Sequence, residues 1–430
     1  MTNANTQDIG DKIYSLAQEL FPICRSLTGD GVRMTLSTIS KFLPEIKVHE
    51  VPTGTCCGDW NVPDEWNIYN AYILDPDGRK IIDFNHNNLH VMGYSEPVNK
   101  MLTLEQLLPH LHSDPVRPDA IPYRTSYYQR RWGFCLTHKQ LQSMKPGNYR
   151  VFIDSTLKPG HMTYGELLFP GKTEEEVLIS TYICHPSMAN NELSGIVVTT
   201  YIAMWLQSCQ SLNKTYRILF VPETLGAICY LNNNIDAMKK NIIAGFNITC
   251  IGDNRSYSYL QSRSGNTLAD KVANHVLKNT VQDYVVYPFV KSGSDERQYC
   301  SPGVDLPFVS LMRTKYNEYP EYHSSLDNLD VISPGGLEGG YNYVKRCIEC
   351  IEYNRQLQLT TLGLPQLGKR ELYPTLSTAT LDTWHRRMVD LMSYADGADL
   401  LTIADVLEVP MWELFDIVKR LKREGVLQVV

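Results

Sequence analysis

Between residues 161 and 350 the sequence alternates apolar, strand-like runs with helical segments, and this alternation allows few architectures. The apolar runs are Val177–Ile183, Tyr216–Val221, Ala244–Ile251 and Leu306–Met312. Strands that are apolar on both faces must be covered on both sides, as in a largely parallel sheet flanked by helices. We therefore predict an α/β fold whose mostly parallel sheet is covered by helices on both faces.

The segments on either side of this region have a different pattern. Residues 8–45 predict two amphipathic helices. From 47 to 160, short alternating runs separated by Gly, Pro and Asp turns predict a small β-rich domain. We therefore assign residues 1–46 and 161–360 to the α/β domain, 47–160 to an inserted domain, and 375–430 to a C-terminal domain.

The C-terminal segment has the outline of a winged helix, with three helical segments followed by a short terminal strand. A winged helix that reads DNA places its recognition helix in the major groove. Residues 381–430, however, hold nine acidic and six basic side chains, and Glu413 and Asp416 begin the candidate recognition helix. We expect this domain to pack against, or bind, a protein partner or a second copy of the chain rather than nucleic acid.

Composition excludes several classes of protein. The net charge of −7 and the pI near 5.9 argue against binding nucleic acid or anionic lipid through bulk charge. No stretch approaches the ~20 apolar residues of a membrane span, and the N-terminus lacks the pattern of a signal peptide. Cysteines in apolar runs, such as Cys184, Cys229 and Cys250, are expected to be buried free thiols. We predict a soluble, cytoplasmic protein.

Four apolar strands are each followed by a polar side chain that could bind a metal or a proton. These side chains are His185, Glu223, Asp253 and His323. Ligands in open α/β sheets gather outside the carboxyl ends of the strands, so we expect the four to converge. Two imidazoles and two carboxylates suit zinc, which takes nitrogen and oxygen ligands and can leave one position for water.

Each of these residues also has a purely structural interpretation. His185 could cap the turn before Pro186, and Glu223 could stabilise the start of the next helix. Asp253 could be a turn residue paired with Arg255, and His323 could be an exposed loop histidine. All four structural interpretations would have to hold together, so a shared site is favoured.

Longer motifs carry a resemblance to a known family. They include Asn88–Pro97, Cys184–Asn190, Pro222–Thr224, Gly293–Arg297 and Glu318–His323. In these motifs the chain resembles a bacterial aminopeptidase-like family with the zinc-dependent exopeptidase fold, often associated with polysaccharide biosynthesis. That family carries an inserted domain of unknown function and a C-terminal winged helix.

The resemblance implies roles for individual residues. His185 and Asp253 match ligands of the first metal in dinuclear aminopeptidases, His323 matches a ligand of the second, and Glu223 matches the general base. Asn191 stands where those enzymes have a bridging aspartate, and Thr224 where they have a second metal-binding glutamate. These two departures imply one zinc per chain, on His185, Asp253 and His323 with Asn191 or Glu192 nearby.

The expected activity is hydrolysis of an amide or peptide bond next to a free amine, with metal-bound water as the nucleophile. Arg313, Glu318 and Glu321 are the candidates to bind the terminus of a small peptide or amino compound. Asn191 and Thr224 favour an alternative, a weakened metal site that senses a ligand and signals through the winged helix. A DNA-binding regulator is a third alternative, disfavoured by the acidic C-terminal domain.

Overall fold

The computed structural model describes residues 8–372 and 382–430, so the first residues of the predicted C-terminal domain, 375–381, lie outside the described part. The chain divides into two compact units. The first comprises the residues up to Asp270 together with Val285–Tyr341, and the second comprises Lys271–Tyr284 and Asn342–Val430.

An eight-stranded sheet is the centre of the first unit. Its strands are β1 (Lys47–Pro52), β10 (His161–Phe169), β11 (Glu176–Tyr182), β12 (Thr215–Val221), β13 (Ile242–Ile248), β14 (Ser258–Leu260), β15 (Val285–Tyr287) and β16 (Phe308–Met312). Their order is β1-β10-β12-β11-β13-β16-β14-β15. The four central strands β12, β11, β13 and β16 are parallel, whereas β10 and β14 join them antiparallel. The sheet is thus mixed, with a parallel centre.

Helices flank this sheet, as the apolar character of the strands predicts. They are α1 (Ile9–Leu20), α2 (Asp30–Ser40), α5 (Ser194–Ser208), α6 (Leu225–Asn241) and α8 (Glu296–Tyr299). Two further helices, α7 (Leu268–Thr280) and α9 (Pro334–Tyr353), begin in the first unit and end in the second. All seven residues of β11 are buried, so the centre of the sheet is covered on both faces. The predicted α/β fold with a large helix-flanked sheet is confirmed.

The inserted segment builds its own sheets. Its elements are β2 (Cys56–Cys57), β3 (Trp60–Asn61), β4 (Glu65–Leu74), β5 (Lys80–Asp83), β6 (Val98–Thr103), α3 (Leu104–Leu107), β7 (Leu111–His112), β8 (Phe134–Cys135), α4 (His138–Ser143) and β9 (Asn148–Lys158). Four of the strands form a sheet of order β5-β4-β9-β6, and two-stranded pairs join β2 to β3 and β7 to β8. A separate core that includes Trp66, Tyr94 and Phe134 stabilises this segment. Strand β1, assigned from sequence to the insertion, pairs with β10 of the large sheet.

The C-terminal elements of the second unit are β17 (Gln356–Leu359), α10 (Thr383–Tyr394), β18 (Asp396–Asp399), α11 (Leu400–Val406), α12 (Phe415–Arg423) and β19 (Leu427–Val429). The three strands form a sheet of order β18-β17-β19. The three helices and this short antiparallel sheet, whose strands alternate with them along the chain, form the predicted winged helix. None of the helices in the described ranges combines the length and the apolar character that a membrane crossing requires.

One expectation about cysteines is wrong. Cys229 is not a free thiol, because it forms a disulfide with Cys57, 172 positions away in the sequence. The two residues meet in a small apolar cluster with Val62, Met162 and Leu225. The apolar surroundings of Cys229 correctly predict burial but cannot indicate a partner from a distant segment.

Candidate active site

The site lies where the parallel centre of the sheet ends. His185 follows β11, Glu223 follows β12 and Asp253 follows β13, while His323 stands in the loop after β16. The carboxyl ends of these neighbouring strands share one edge of the sheet. A single π-helical turn, Ala189–Leu193, leads from this edge into α5.

Glu192, from that turn, fixes the orientation of His185. Its Oε2 accepts hydrogen bonds from the backbone N–H of Cys184 at 2.8 Å and of His185 at 2.5 Å, and lies 2.7 Å from His185 Nδ1. Its Oε1 accepts from Nε of the buried Arg25 at 2.8 Å. A carboxylate at Nδ1 holds the proton on that nitrogen and leaves Nε2 free to accept.

The same contact sets the charge preference of His185. Burial by itself would lower the pKa of the imidazole, but the hydrogen bond and the negative charge of Glu192 outweigh it, so the pKa is raised. The neighbouring Cys184 is poorly suited to bind a metal, because only its deprotonated thiolate would be a ligand. Burial, followed by the charges of Glu192 and Glu223, raises the pKa of its thiol well above the ordinary value.

His323 approaches His185 beneath an aromatic ring from the inserted segment. The two imidazole centroids are 5.4 Å apart, and the Tyr123 ring lies 5.2 Å from His185 and 5.3 Å from His323. His323 Nε2 is buried and has no hydrogen-bond partner among the described residues. Burial, and then the charge of His185, lower the pKa of His323 to about 3, so the ring is neutral at neutral pH.

Glu223 is the accessible carboxylate of the site. Its Oε2 lies 3.7 Å from His185 Nε2, and 24% of its side chain is exposed. Ser294 Oγ donates to its Oε1 at 2.6 Å. Burial raises the pKa of Glu223 more than the neighbouring His185 lowers it. Glu223 is therefore held beside the free nitrogen of His185 with an increased affinity for a proton.

The residue after Glu223 has an uncommon backbone conformation. Thr224 has φ 64° and ψ −70°, in a region that β-branched residues rarely adopt. Its N–H donates to Asp295 Oδ1 at 2.6 Å, while Asp295 Oδ2 has no partner among the described residues. Burial, and then the charge of Glu223, raise the pKa of Asp295 well above its ordinary value. Asp295 thus supports the backbone beside Glu223.

Asn191 has one free acceptor. Its Nδ2 donates to the Tyr182 hydroxyl at 2.6 Å and its backbone N–H donates to Asp327 Oδ2 at 3.0 Å. Its Oδ1 is buried and accepts no hydrogen bond from any described residue. An unpaired buried oxygen is costly, so this atom is available to a metal or to a polar ligand.

Asp253, in contrast, uses both oxygens within the protein. Oδ1 accepts from Arg255 N at 2.8 Å and Thr314 Oγ1 at 2.7 Å, and Oδ2 accepts from Asn190 Nδ2 and Thr314 N, both at 3.0 Å. Four donors account for about four lone-pair sites of a carboxylate. The interpretation of Asp253 as a turn residue therefore fits this geometry, but the expected pair with the Arg255 side chain is replaced by a bond from its N–H, because the guanidinium binds Glu321. The role of Asp253 as a metal ligand stays a prediction.

A different cluster has donor atoms close enough for a metal. Among the His, Cys, Asp and Glu side chains of residues 8–372 and 382–430, it comprises Cys184, His185 and Glu192. Glu192 is already saturated by Arg25 and two backbone N–H groups, and the Cys184 thiol resists deprotonation. Glu192 therefore holds His185 in position and is not itself available as a metal ligand. Among the residues that the sequence proposes as metal ligands, the atoms left available to a metal are Nε2 of His185, Nε2 of His323 and Oδ1 of Asn191.

The three predicted substrate-binding residues have other contacts or stay exposed. Arg313 Nε donates to Ser256 O at 2.7 Å, and its guanidinium lies 3.8 Å from the centroid of the Tyr257 ring. Glu321 forms a bidentate pair with Arg255, both distances being 2.8 Å. Glu318 is exposed. Their substrate roles stay predictions.

The sequence does not predict that two further residues, Tyr123 and Arg25, contact the histidines of the site. Tyr123 comes from the inserted segment, and nothing in its local sequence indicates that its ring reaches both histidines. Arg25, from the loop before α2, also donates to the backbone oxygen of His185 at 3.0 Å. A buried charge at a loop position shows its role only once its carboxylate partner is known.

Comparisons with known proteins agree with this fold. Residues 14–354 match the family model for a domain of unknown function, DUF4910, and residues 355–429 match a winged helix-turn-helix. A Clostridium acetobutylicum protein, provisionally described as a polysaccharide biosynthesis protein with an aminopeptidase-like domain, is 46% identical over 370 residues, which are 86% of this chain and 84% of the relative.

Solved structures extend the comparison. A crystal structure from Clostridium acetobutylicum, provisionally described as a peptidase, has a TM-score of 0.91 and 41% identity, covering 98% of this chain and 96% of that one. A zinc aminopeptidase from Bacillus subtilis has a TM-score of 0.55 and 14% identity, covering 79% of this chain and 94% of that one, a likeness of fold alone. The chain therefore belongs to the aminopeptidase-like family that joins a DUF4910 domain to a C-terminal winged helix.

Proposed function

We propose that the chain is a hydrolase that cleaves an amide or peptide bond next to a free amine, with Glu223 as the general base. The position of Glu223 carries this proposal. Its carboxylate is accessible, stands 3.7 Å from His185 Nε2, and has a raised pKa. A base works best when its pKa lies near the working pH, so this shift favours proton transfer.

The surrounding residues hold Glu223 in one working geometry. Ser294 donates to Oε1 and thereby leaves Oε2 on the side of His185. The proton taken from an attacking water would be held at Oε2 and passed to the leaving amine. Tyr123 covers the two histidines and would exclude bulk water from them.

We infer that the protein binds one zinc ion, held through Nε2 of His185 and Nε2 of His323, with Asn191 Oδ1 nearby. The unpaired His323 nitrogen and Asn191 oxygen support this inference, because zinc accepts imidazole and oxygen ligands. When bound, zinc would polarise the scissile carbonyl and acidify a bound water. Asp253 would join the ligands only by giving up a hydrogen bond that it now accepts.

Elemental analysis of the purified protein tests the metal, and an amide-substrate assay tests the chemistry. We expect about one zinc per chain, lost in His185→Ala and retained in the control His86→Ala, whose side chain is exposed. Glu223→Gln should keep the zinc and lose about 100-fold or more in kcat, since general-base catalysis contributes roughly 10²–10⁴. Equal kcat in Glu223→Gln and the unchanged protein would contradict the proposed base.

The second candidate is a binding protein that senses an amino compound and signals through the winged helix. The neutral amide of Asn191 and the saturated carboxylate of Asp253 favour it, because both weaken the hold on a metal. Ligand binding by calorimetry with no turnover over hours would support this function over hydrolysis. On either function the ligand is a small amino compound, and we expect a cytoplasmic protein whose C-terminal domain binds a protein rather than DNA.

A further inference from the structure

A second concave site lies in the inserted segment, apart from the residues discussed so far. It is an open cavity of about 750 Å³, within the range of small-molecule sites. The side chains that give it chemical character are His110, His112, Arg124, Arg130, Arg131 and Trp132.

Positive charge dominates the lining. Three arginines face one carboxylate, Glu96. Arg130 is already paired, since its Nη2 lies 2.5 Å from Asp64 Oδ2 and its Nη1 donates to a backbone oxygen. Arg124 and Arg131 are exposed, and their guanidinium groups form no hydrogen bond or ion pair with any residue in the described ranges. Two free guanidinium groups therefore remain for an anion.

An aromatic stack forms another part of the wall. The rings of His110 and Trp132 are stacked 3.6 Å apart with an interplanar angle of 9°. His110 Nδ1 lies 3.1 Å from Trp132 O, which holds the imidazole in place. Burial, and then the charges of Arg124 and His110, lower the pKa of His112 to about 4, so its neutral ring can donate or accept a hydrogen bond.

We propose that this cavity binds a phosphorylated small molecule that carries a ring. Arg124 and Arg131 bind the phosphate, because guanidinium groups match phosphate oxygens in geometry and charge. The His110–Trp132 stack offers a flat apolar surface to the ring of a sugar or a base. The proposal does not depend on hydrolysis at Glu223, since no residue of the proposed catalytic centre lines the cavity.

The cavity nevertheless adjoins that centre through the chain. Arg124 directly follows Tyr123, whose ring covers His185 and His323. The N–H of Gly93 donates to Arg124 O at 2.9 Å and fixes this segment to the loop before β6. A ligand that orders Arg124 would therefore also restrict the position of Tyr123.

Isothermal titration calorimetry on the full chain tests the proposal with four probes: inorganic phosphate, glucose 1-phosphate, adenosine 5′-monophosphate and glucose. We expect both phosphorylated ring compounds, or one of them, to bind more tightly than inorganic phosphate, and glucose not to bind. The preferred compound distinguishes a sugar from a base. Arg124→Ala and Arg131→Ala should each weaken binding about tenfold, and the double variant about 100-fold.

Matched variants separate the cavity from general charge effects. Arg79→Ala removes an exposed arginine of a turn, 3.6 Å from Asp77, and should leave all affinities unchanged. Trp132→Ala should weaken the ring compound about tenfold and inorganic phosphate less than twofold. Equal affinity in the Arg124→Ala/Arg131→Ala double variant, absence of binding by every phosphorylated probe at 10 mM, or equal binding of glucose would each overturn the proposal.

Discussion

At the scale of single residues, the site depends on two neighbours in the π-helical turn that behave differently. Glu192 is saturated by hydrogen bonds, whereas Asn191 keeps a bare oxygen. The first holds His185 in position, and the second leaves room for a ligand. Their different surroundings lead to opposite expectations when each is changed.

Glu192→Gln should lower the stability of the whole unit. The change removes the negative charge that pairs with Arg25, and both side chains are fully buried. Leaving one partner of a buried ion pair uncompensated costs about 3–5 kcal/mol. Chemical denaturation measures this loss, with Glu174→Gln as the control because Glu174 and Lys240 form a highly exposed pair worth at most about 1 kcal/mol. Equal losses in the two variants would contradict a structural role for Glu192.

Asn191→Asp should make stability dependent on metal. Without a cation, the new buried carboxylate would have only the Tyr182 hydroxyl and no positive partner among its described contacts, and we expect a loss of about 1–3 kcal/mol. Zinc should restore much of that loss, because a ligand that binds the folded state stabilises it. Thermal unfolding with and without zinc measures the difference. A zinc response no larger than that of the unchanged protein would show that Oδ1 does not face the metal.

At the scale of secondary-structure elements, the sequence predicts the elements that are apolar throughout and misses those defined by distant pairing. The apolar runs Val177–Ile183 and Tyr216–Val221 lie within one residue of the observed strands β11 and β12. Strands β14 and β15 have three residues each and exist only through pairing at the sheet edge. Local pattern carries no information about such pairing.

The same contrast holds for the site. The strand ends correctly indicate that polar side chains follow one edge of the sheet, because that placement depends on topology. Whether an oxygen of Asp253 is free depends on Asn190 and Thr314, which lie in other loops. Sequence reasoning therefore locates the candidate residues but cannot count their hydrogen bonds.

The junction of α2 with β4 gives a prediction for acid stability. Arg33 Nη2 lies 2.5 Å from Glu65 Oε1, and Glu65 Oε2 also accepts from His161 N at 2.9 Å. Burial opposes ionisation of Glu65, but the hydrogen bonds from Arg33 and His161 outweigh it and lower its pKa to about 2. A lowered folded-state pKa adds stability above the unfolded-state value, and that stability is lost as the pH falls from about 4.5 to about 2.

Glu65→Gln should therefore reduce the free energy of unfolding at pH 7 by about 1–3 kcal/mol and flatten its decline between pH 4.5 and pH 2. Urea denaturation at several pH values measures both effects. Glu105→Gln serves as the control, since Glu105 is exposed in the first turn of α3. Parallel pH profiles for Glu65→Gln and the unchanged protein would contradict the linkage.

At the scale of the whole molecule, the disulfide opposes the expectation of a cytoplasmic protein, because the cytoplasm is a reducing compartment. Cys57 in the insertion is joined to Cys229 in α6, which begins two residues after Glu223. Disulfides persist mainly in oxidising compartments. The other nine cysteines form no disulfide, and six of them are buried: Cys135, Cys184, Cys250, Cys300, Cys347 and Cys350.

Counting reactive thiols shows whether Cys57 and Cys229 are bridged or reduced in solution. Denatured, unreduced protein should show nine reactive thiols, and reduced protein eleven. Reduction should lower the free energy of unfolding by about 2–4 kcal/mol, because the bridge closes a long loop and restricts the unfolded chain. Cys57→Ser/Cys229→Ser should match the reduced protein and no longer respond to reductant, whereas Cys56→Ser, which removes an exposed free thiol, should still respond. Eleven reactive thiols before reduction would instead mean that the two cysteines are reduced in solution, and the expectation of a cytoplasmic protein would then stand.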